Sequence, residues 1–178
     1  MYYNTYYPVR YCSVTPTSYY PSYDPYGQMR QEMTTYKSLE EALALIKKAV
    51  SGEREDELFY DYLISEAPSQ EEKEVIESIR NDERKHNQMF RRIYQDLTGQ
   101  TITTPTDVDF EKPNSYIEGV KKALFGELSA VERYRNIRAG MSNQYYRDMV
   151  YEIITDEQKH ADKYNYLLNL YLSKMMKK

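Results

Sequence analysis

Two short stretches, DERKH at residues 82–86 and DEQKH at residues 156–160, decide the fold of this chain. Each has a glutamate three residues before a histidine, a spacing that places both side chains on one face of a helix. The only two histidines, His86 and His160, both lie in these stretches. Each stretch also sits within a row of apolar residues at steps of three and four. The pattern therefore predicts two long helices that direct Glu-x-x-His toward a shared core.

A second motif repeats at the same distance. KKAVSGE at residues 47–53 matches KKALFGE at residues 121–127, an offset of 74 residues, and the Glu-x-x-His stretches share that offset. In each half the lone glutamate, Glu53 or Glu127, precedes the paired one by 30 residues. Because the two halves repeat each other, the chain is predicted to contain two helical hairpins of one pattern.

Capping residues and helix breakers divide residues 37–178 into four helices of roughly 25–30 residues each. The first is predicted to run without a break to about Glu66, and the fourth to be capped by Ser142. The hairpins then cover about residues 38–98 and 114–174. The predicted fold is all-α, a four-helix bundle with a long crossover between helices two and three.

Residues 1–36 have a different composition. They hold ten of the 21 tyrosines, together with several prolines, and show no helical period. Such a segment is predicted to be a low-complexity tail without a core of its own. Its tyrosines suggest that it docks the chain on a partner or an assembly such as a spore coat, with a solubilising extension as the simpler alternative.

Charge and cysteine content exclude several classes of protein. The net charge is −4, from 24 basic and 28 acidic residues, so nucleic-acid binding is not expected. No apolar run approaches the ~20 residues of a transmembrane helix, and no secretory signal is recognisable. Cys12 is the only cysteine, which excludes a four-cysteine metal site within one chain and fits a cytoplasmic location. A homodimer is the default expectation.

Each of the four predicted helices has a row of apolar residues at steps of three and four, and each row carries an acidic residue near its middle. A buried carboxylate without a partner costs several kcal/mol, and two divalent cations would neutralise four of them. Oxygen and imidazole donors suit iron, manganese or zinc. The predicted ligands of a two-metal site are Glu53, Glu83, His86, Glu127, Glu157 and His160. Tyr60 and Tyr134 lie seven residues after the lone glutamates and are either core aromatics or hydrogen-bond partners of the ligands.

The doubled Gly-Glu…Tyr and Glu-x-x-His pattern resembles the rubrerythrin branch of the ferritin-like superfamily over roughly residues 38–174. The resemblance implies a di-iron pair held by the six residues above, with manganese or a mixed pair as alternatives, and places Tyr60 beside the centre. It also implies two-electron reduction of hydrogen peroxide, or oxidation of Fe(II) by oxygen or peroxide.

Two departures narrow that resemblance. Rubrerythrins usually carry a rubredoxin-like domain with two Cys-x-x-Cys pairs, so here electrons are expected from an external donor protein or from Fe(II) itself. The family also has a glutamate where this chain has Ala130, which argues against the movement of iron attributed to rubrerythrins. Two other functions remain open: a dimanganese catalase-like enzyme, and a non-enzymatic metal-binding protein docked by its tyrosine-rich tail.

Overall fold

A computed structural model of the protein describes residues 37–104, 108 and 110–176, and these residues form five helices. They are α1 Leu39–Ser51, α2 Glu53–Glu66, α3 Gln70–Thr98, α4 Tyr116–Gly140 and α5 Gln144–Met176. The all-α prediction is confirmed, and α1 with α2 makes the first helix of the four-helix bundle. The predicted tail, residues 1–36, lies outside the described residues.

The first bundle helix is broken at Gly52, where the sequence predicted a continuous helix. The Gly52 N–H donates to the Ala49 carbonyl at 3.4 Å, a tighter turn than the α-helical bond four residues back. The helix resumes at once, because the Asp56 N–H donates to the Gly52 carbonyl at 3.1 Å. The break therefore lies directly before Glu53, which is the first residue of α2.

Side chains cap the N-terminal ends of α1, α3, α4 and α5. Ser38 and Glu41 form the expected capping box, with hydrogen bonds of 3.1 and 2.8 Å. Helix α3 ends at Gly99, whose φ of 70° is the left-handed conformation that glycine adopts without strain. The predicted cap of the last helix, Ser142, is wrong: the side-chain oxygen of Asn143 accepts from the Tyr145 N–H at 2.8 Å.

Contacts between helix ends define the topology. The Tyr62 hydroxyl donates to the Pro113 carbonyl at 3.2 Å, joining the end of α2 to the start of α4. Gly140, at the end of α4, lies against Ser38 at the start of α1. Helix α4 therefore runs antiparallel to α1 and α2 and parallel to α3. The crossover after Gly99 returns along the length of α3, whose 29 residues span about 43 Å.

Two apolar clusters fill the bundle at different heights. The lower cluster, at the end of the bundle where α1 begins, includes Ile46, Phe90 and Ile153. The upper cluster, at the end where α2 stops, includes Leu63 and Ile79. Each contains side chains from every bundle helix, so both join the two hairpins. No helix in the described part of the chain is both long enough and apolar enough to cross a bilayer.

Replacing Gly140 with alanine is expected to destabilise the protein by about 1–3 kcal/mol, because the new methyl group would overpack the α1–α4 contact. Its carbon would lie 2.6 Å from the Ser38 carbonyl oxygen and 2.7 Å from the Ala42 side chain. Gly126→Ala is the matched control: nothing lies within 4 Å there, so stability should rise by up to about 1 kcal/mol. Urea unfolding measures both, and equal effects of the two variants would contradict the expectation.

Candidate metal centre

A polar layer crosses the bundle between the two apolar clusters. Helix α3 contributes Glu83 and His86, α4 contributes Glu127, and α5 contributes Glu157 and His160. The Glu157 residue is 1 % exposed and His160 is fully buried. These five predicted ligands come together because each lies on the inward row of its helix, at the same height in the two repeats.

The donor atoms of this layer lie close to one another. One donor atom from each of Glu83, Glu127, Glu157 and His160 lies within 4.8 Å of the others. The His86 Nδ1 is 3.0 Å from the Glu157 Oε1 and 3.5 Å from the Glu83 Oε1. The His160 Nδ1 is 3.0 Å from that same Glu83 oxygen. The Glu83 carboxylate thus faces both imidazoles.

Several of these donors make no hydrogen bond within the described part of the chain. They are the Nδ1 atoms of His86 and His160 and the Oε1 atoms of Glu83 and Glu157, all buried. Although the nitrogens and oxygens lie near one another, their angles do not suit hydrogen bonding. Donor atoms that point at a common volume rather than at each other are what a bound cation requires. The residues present therefore fit a pair of divalent metal ions.

The outer nitrogen of each histidine meets an aspartate from the opposite hairpin. The His86 Nε2 lies 3.1 Å from the Asp156 carboxylate, and the His160 Nε2 lies 3.1 Å from the Asp82 carboxylate. An Nε2–H that donates to a carboxylate leaves Nδ1 free to face the centre and fixes the ring. The sequence analysis did not single out these aspartates as site residues. Their presence in both repeats, directly before each paired glutamate, was the signal that could have identified them.

The charges in the polar layer shift one another's pKa values. Burial opposes protonation of His86 and His160, but the facing glutamates outweigh it and raise the pKa of each imidazole to about 10. Burial and the Glu83 charge raise the pKa of Glu157 well above its ordinary value. Burial also disfavours the charged form of Glu83, but its contacts with His160 and His86 keep its pKa lower than usual. Protons and metal ions therefore compete for the same donors.

Metal binding at pH 7 is expected to release protons, and metal affinity is expected to rise with pH. Both histidines are protonated at pH 7 when their pKa is about 10, and a metal can bind only the deprotonated nitrogen. Titration calorimetry with Mn(II), in two buffers that differ in ionisation enthalpy, counts the released protons. A binding heat that is the same in both buffers would contradict this expectation.

Glu53 is not among the residues whose donor atoms cluster, although it lines the same cavity of about 40 Å³ as Glu83 and His86. Its carboxylate accepts a hydrogen bond from the Arg91 Nη2 at 2.5 Å and one from the Thr104 hydroxyl at 3.4 Å. Arg91 also donates to the Ile102 carbonyl at 2.6 Å, so this cluster fastens the crossover to α3. Glu53 would have to leave Arg91 to reach the layer, and its role as a ligand stays a prediction.

Three buried tyrosines lie in the apolar clusters on either side of the polar layer, Tyr60 and Tyr164 in the upper cluster and Tyr134 in the lower one. The Tyr60 hydroxyl donates to a Glu127 carboxylate oxygen at 3.4 Å, whereas the Tyr134 ring packs edge-on against Phe90 at 4.9 Å between centroids. Tyr164 was not singled out from the sequence as a site residue. It is fully buried seven residues after Glu157, and within the described residues its hydroxyl has no hydrogen-bond partner. Burial raises the pKa of Tyr164, with the Glu127 charge adding to the effect.

A cavity of about 200 Å³ leads to the polar layer between α2 and α4. Three of the carboxylates line its inner end, and Asp56, Lys122 and Arg133 line it nearer the surface. The surrounding protein displaces water from the Asp56 carboxyl group, and this effect together with the charge of Glu83 raises the pKa of Asp56 to about 7. A smaller cavity of about 40 Å³ reaches Glu83 and His86 between α2 and α3. The larger one has room for a small molecule.

A four-helix bundle with a central layer of glutamates and two Glu-x-x-His pairs defines a ferritin-like carboxylate protein. The rubrerythrin family profile matches residues 44–168, and the chain belongs to the rubrerythrin family. The uncharacterized protein YhjR of Bacillus subtilis (strain 168) is 30% identical over 151 residues, 85% of this chain and 96% of YhjR. The structure of a hypothetical protein from Pyrococcus furiosus has a TM-score of 0.61 at 24% identity. The match covers 76% of this chain and 91% of the Pyrococcus chain, and it supports the fold alone.

Proposed function

We propose that this protein is a di-iron carboxylate enzyme that reduces hydrogen peroxide or oxygen, as a peroxidase or a ferroxidase. The observation that carries the proposal is the set of buried imidazole and carboxylate atoms that face one volume without hydrogen-bonding one another. A cavity that reaches three of those carboxylates gives a small oxidant a path to the same place. Membership of the rubrerythrin family agrees with both.

In this proposal the metals would be held by Glu83, His86, Glu127, Glu157 and His160, with Glu53 as the remaining predicted ligand. Bound iron would supply the electrons and the Lewis acidity for a two-electron reduction. The carboxylates of Glu83, Glu127 and Glu157 would offset most of the charge of the two cations, and Glu53 would supply the fourth carboxylate. The imidazoles would complete the donor set with their Nδ1 atoms.

The chain's other residues support those donors. Asp82 and Asp156 hold the two rings by their outer nitrogens, and the Tyr60 hydroxyl holds one oxygen of Glu127. The cavity of about 200 Å³ has room for a small oxidant beside the carboxylates. In this proposal the electrons would come from an external donor protein or from Fe(II).

The test is to load the purified protein anaerobically with Fe(II) and to add hydrogen peroxide or oxygen. The proposal expects iron oxidation and oxidant consumption faster than the same concentration of free Fe(II) gives. The matched control is a Glu157→Gln variant, which keeps the shape of the side chain but removes a donor charge. Equal rates for the loaded protein, the variant and free iron would overturn the proposal.

A dimanganese catalase-like activity is the second candidate, because carboxylate and imidazole donors suit manganese as well as iron. The products separate the two. A catalase releases oxygen from hydrogen peroxide without consuming a reductant, whereas a peroxidase oxidises its electron donor and releases no oxygen. Metal analysis of the protein from its native source identifies the ion that occupies the site.

A further inference from the structure

Lys159 contacts both of the aspartates that hold the histidines. Its Nζ lies 2.6 Å from the Asp156 Oδ1 and 3.1 Å from the Asp82 Oδ2. That Asp82 oxygen also faces the His160 Nε2, while the other oxygen of Asp156 faces the His86 Nε2. One ammonium group therefore connects the outer partners of both rings.

The repeat of the chain supplies an internal comparison. Lys85 occupies the position equivalent to Lys159 in the first half, 74 residues earlier. Its Nζ instead forms an ion pair with Glu152 and leaves the two aspartates to Lys159. The two halves of the chain are therefore equivalent in sequence here but not in contacts, because only Lys159 of these two lysines bonds to the aspartates that hold the histidines.

We propose that Lys159 is a positioning residue that holds the carboxylates of Asp82 and Asp156 against the two imidazoles, so that one side chain orients both histidines. The inference rests on the proposed function only in treating those histidines as metal ligands. Lys159 acts through the aspartates and does not touch the centre itself.

Electrostatics explains why such a residue is needed. The carboxylates of Asp82 and Asp156 both contact the Lys159 ammonium group. They are therefore near each other, and their like charges repel. Their side chains are 30% and 18% exposed, so each can rotate toward water if the cation is lost. The Nε2–H groups would then lose their carboxylate acceptors, and the rings, whose centroids are 5.7 Å apart, would lose the contact that fixes them.

The test uses Lys159→Met, with Lys85→Met as the matched control and Lys159→Arg as the conservative variant. Because the chain has only two histidines, protein with ¹⁵N-labelled histidine gives two sets of ring signals. In metal-free protein, Lys159→Met should shift both Nε2 signals and speed exchange of both Nε2 protons at least ~10-fold. Lys85→Met should leave them as in the parent protein, and Lys159→Arg should restore them.

The proposal is overturned if Lys159→Met leaves either ring unchanged, or if Lys85→Met changes both rings as much. Lys159 is close to half exposed, so the variant should retain its helix content, which circular dichroism checks. A separate Co(II) titration shows whether the effect reaches the metal: Lys159→Met should bind several-fold more weakly, by analogy with other outer contacts of metal ligands. If the parent protein binds no metal, the proposed function fails, while the ring signals still decide the role of Lys159.

Discussion

Replacing Glu83 with glutamine is expected to prevent binding of the metal pair and to reduce peroxide consumption to the rate of free iron. The Glu83 Oε1 lies 3.0 Å from the His160 Nδ1 and 3.5 Å from the His86 Nδ1, so it is the carboxylate oxygen that faces both imidazoles. Glutamine keeps the volume of the side chain but supplies no negative charge. Two cations beside two imidazoles would then have too few carboxylates to offset their charge.

The measurement is metal content per chain after Fe(II) loading and gel filtration, followed by anaerobic peroxide assays. Glu74→Gln is the control, since Glu74 lies on the same helix but is exposed and bonds only to Gln70 among the described residues. The control should match the parent protein in both assays. Full metal content and full activity in Glu83→Gln would contradict the assignment of the polar layer as the metal site.

Removing metal from the loaded protein is expected to lower its stability substantially. A ligand at 100 times its dissociation constant stabilises the folded state by about 2.7 kcal/mol. For a chain of this length that corresponds to a fall in melting temperature of roughly 5–10 °C. The physical reason is local. Without cations, the charged form of Glu157 is disfavoured by burial and by the charge of Glu83, and both effects raise its pKa.

Calorimetry of the loaded protein before and after chelation measures this effect. The Glu83→Gln variant serves as its control, because a protein without the site should have the same melting temperature with and without the chelator. If the melting temperature of the parent protein changes neither with added metal nor with chelator, the expectation that metal binding stabilises the fold is contradicted.

Periodicity and capping were enough to predict most of the fold. The inward rows at steps of three and four predicted that five of the ligands lie at one height in the bundle. Two regular helical hairpins with the same spacing bring equivalent residues to the same height. These ligands are Glu83, His86, Glu127, Glu157 and His160. The break at Gly52 could not be read in the same way. The equivalent residue Gly126 lies within an unbroken α4, so glycine alone does not decide whether a helix is interrupted.

Contacts between distant segments were also beyond the sequence. Glu53 is paired with Arg91, and nothing in the local sequence around either residue indicates that pairing. Arg91 also bonds to Ile102 and Thr104 of the crossover. Likewise, Asp82 and Asp156 bond to the histidine of the opposite hairpin rather than to their own. Helical spacing predicts which face a residue lies on, but not which residue it meets across the bundle.

Diffraction data collected at the iron and manganese absorption edges from crystals of the metal-loaded protein test the central claim most directly. The account predicts two anomalous peaks in the polar layer, each within bonding distance of a histidine Nδ1 and of the carboxylates of Glu83, Glu127 or Glu157. The same map shows whether Glu53 leaves Arg91 to join them, and the two edges identify the metal. A layer without anomalous signal, or metal bound only elsewhere on the protein, would contradict the account.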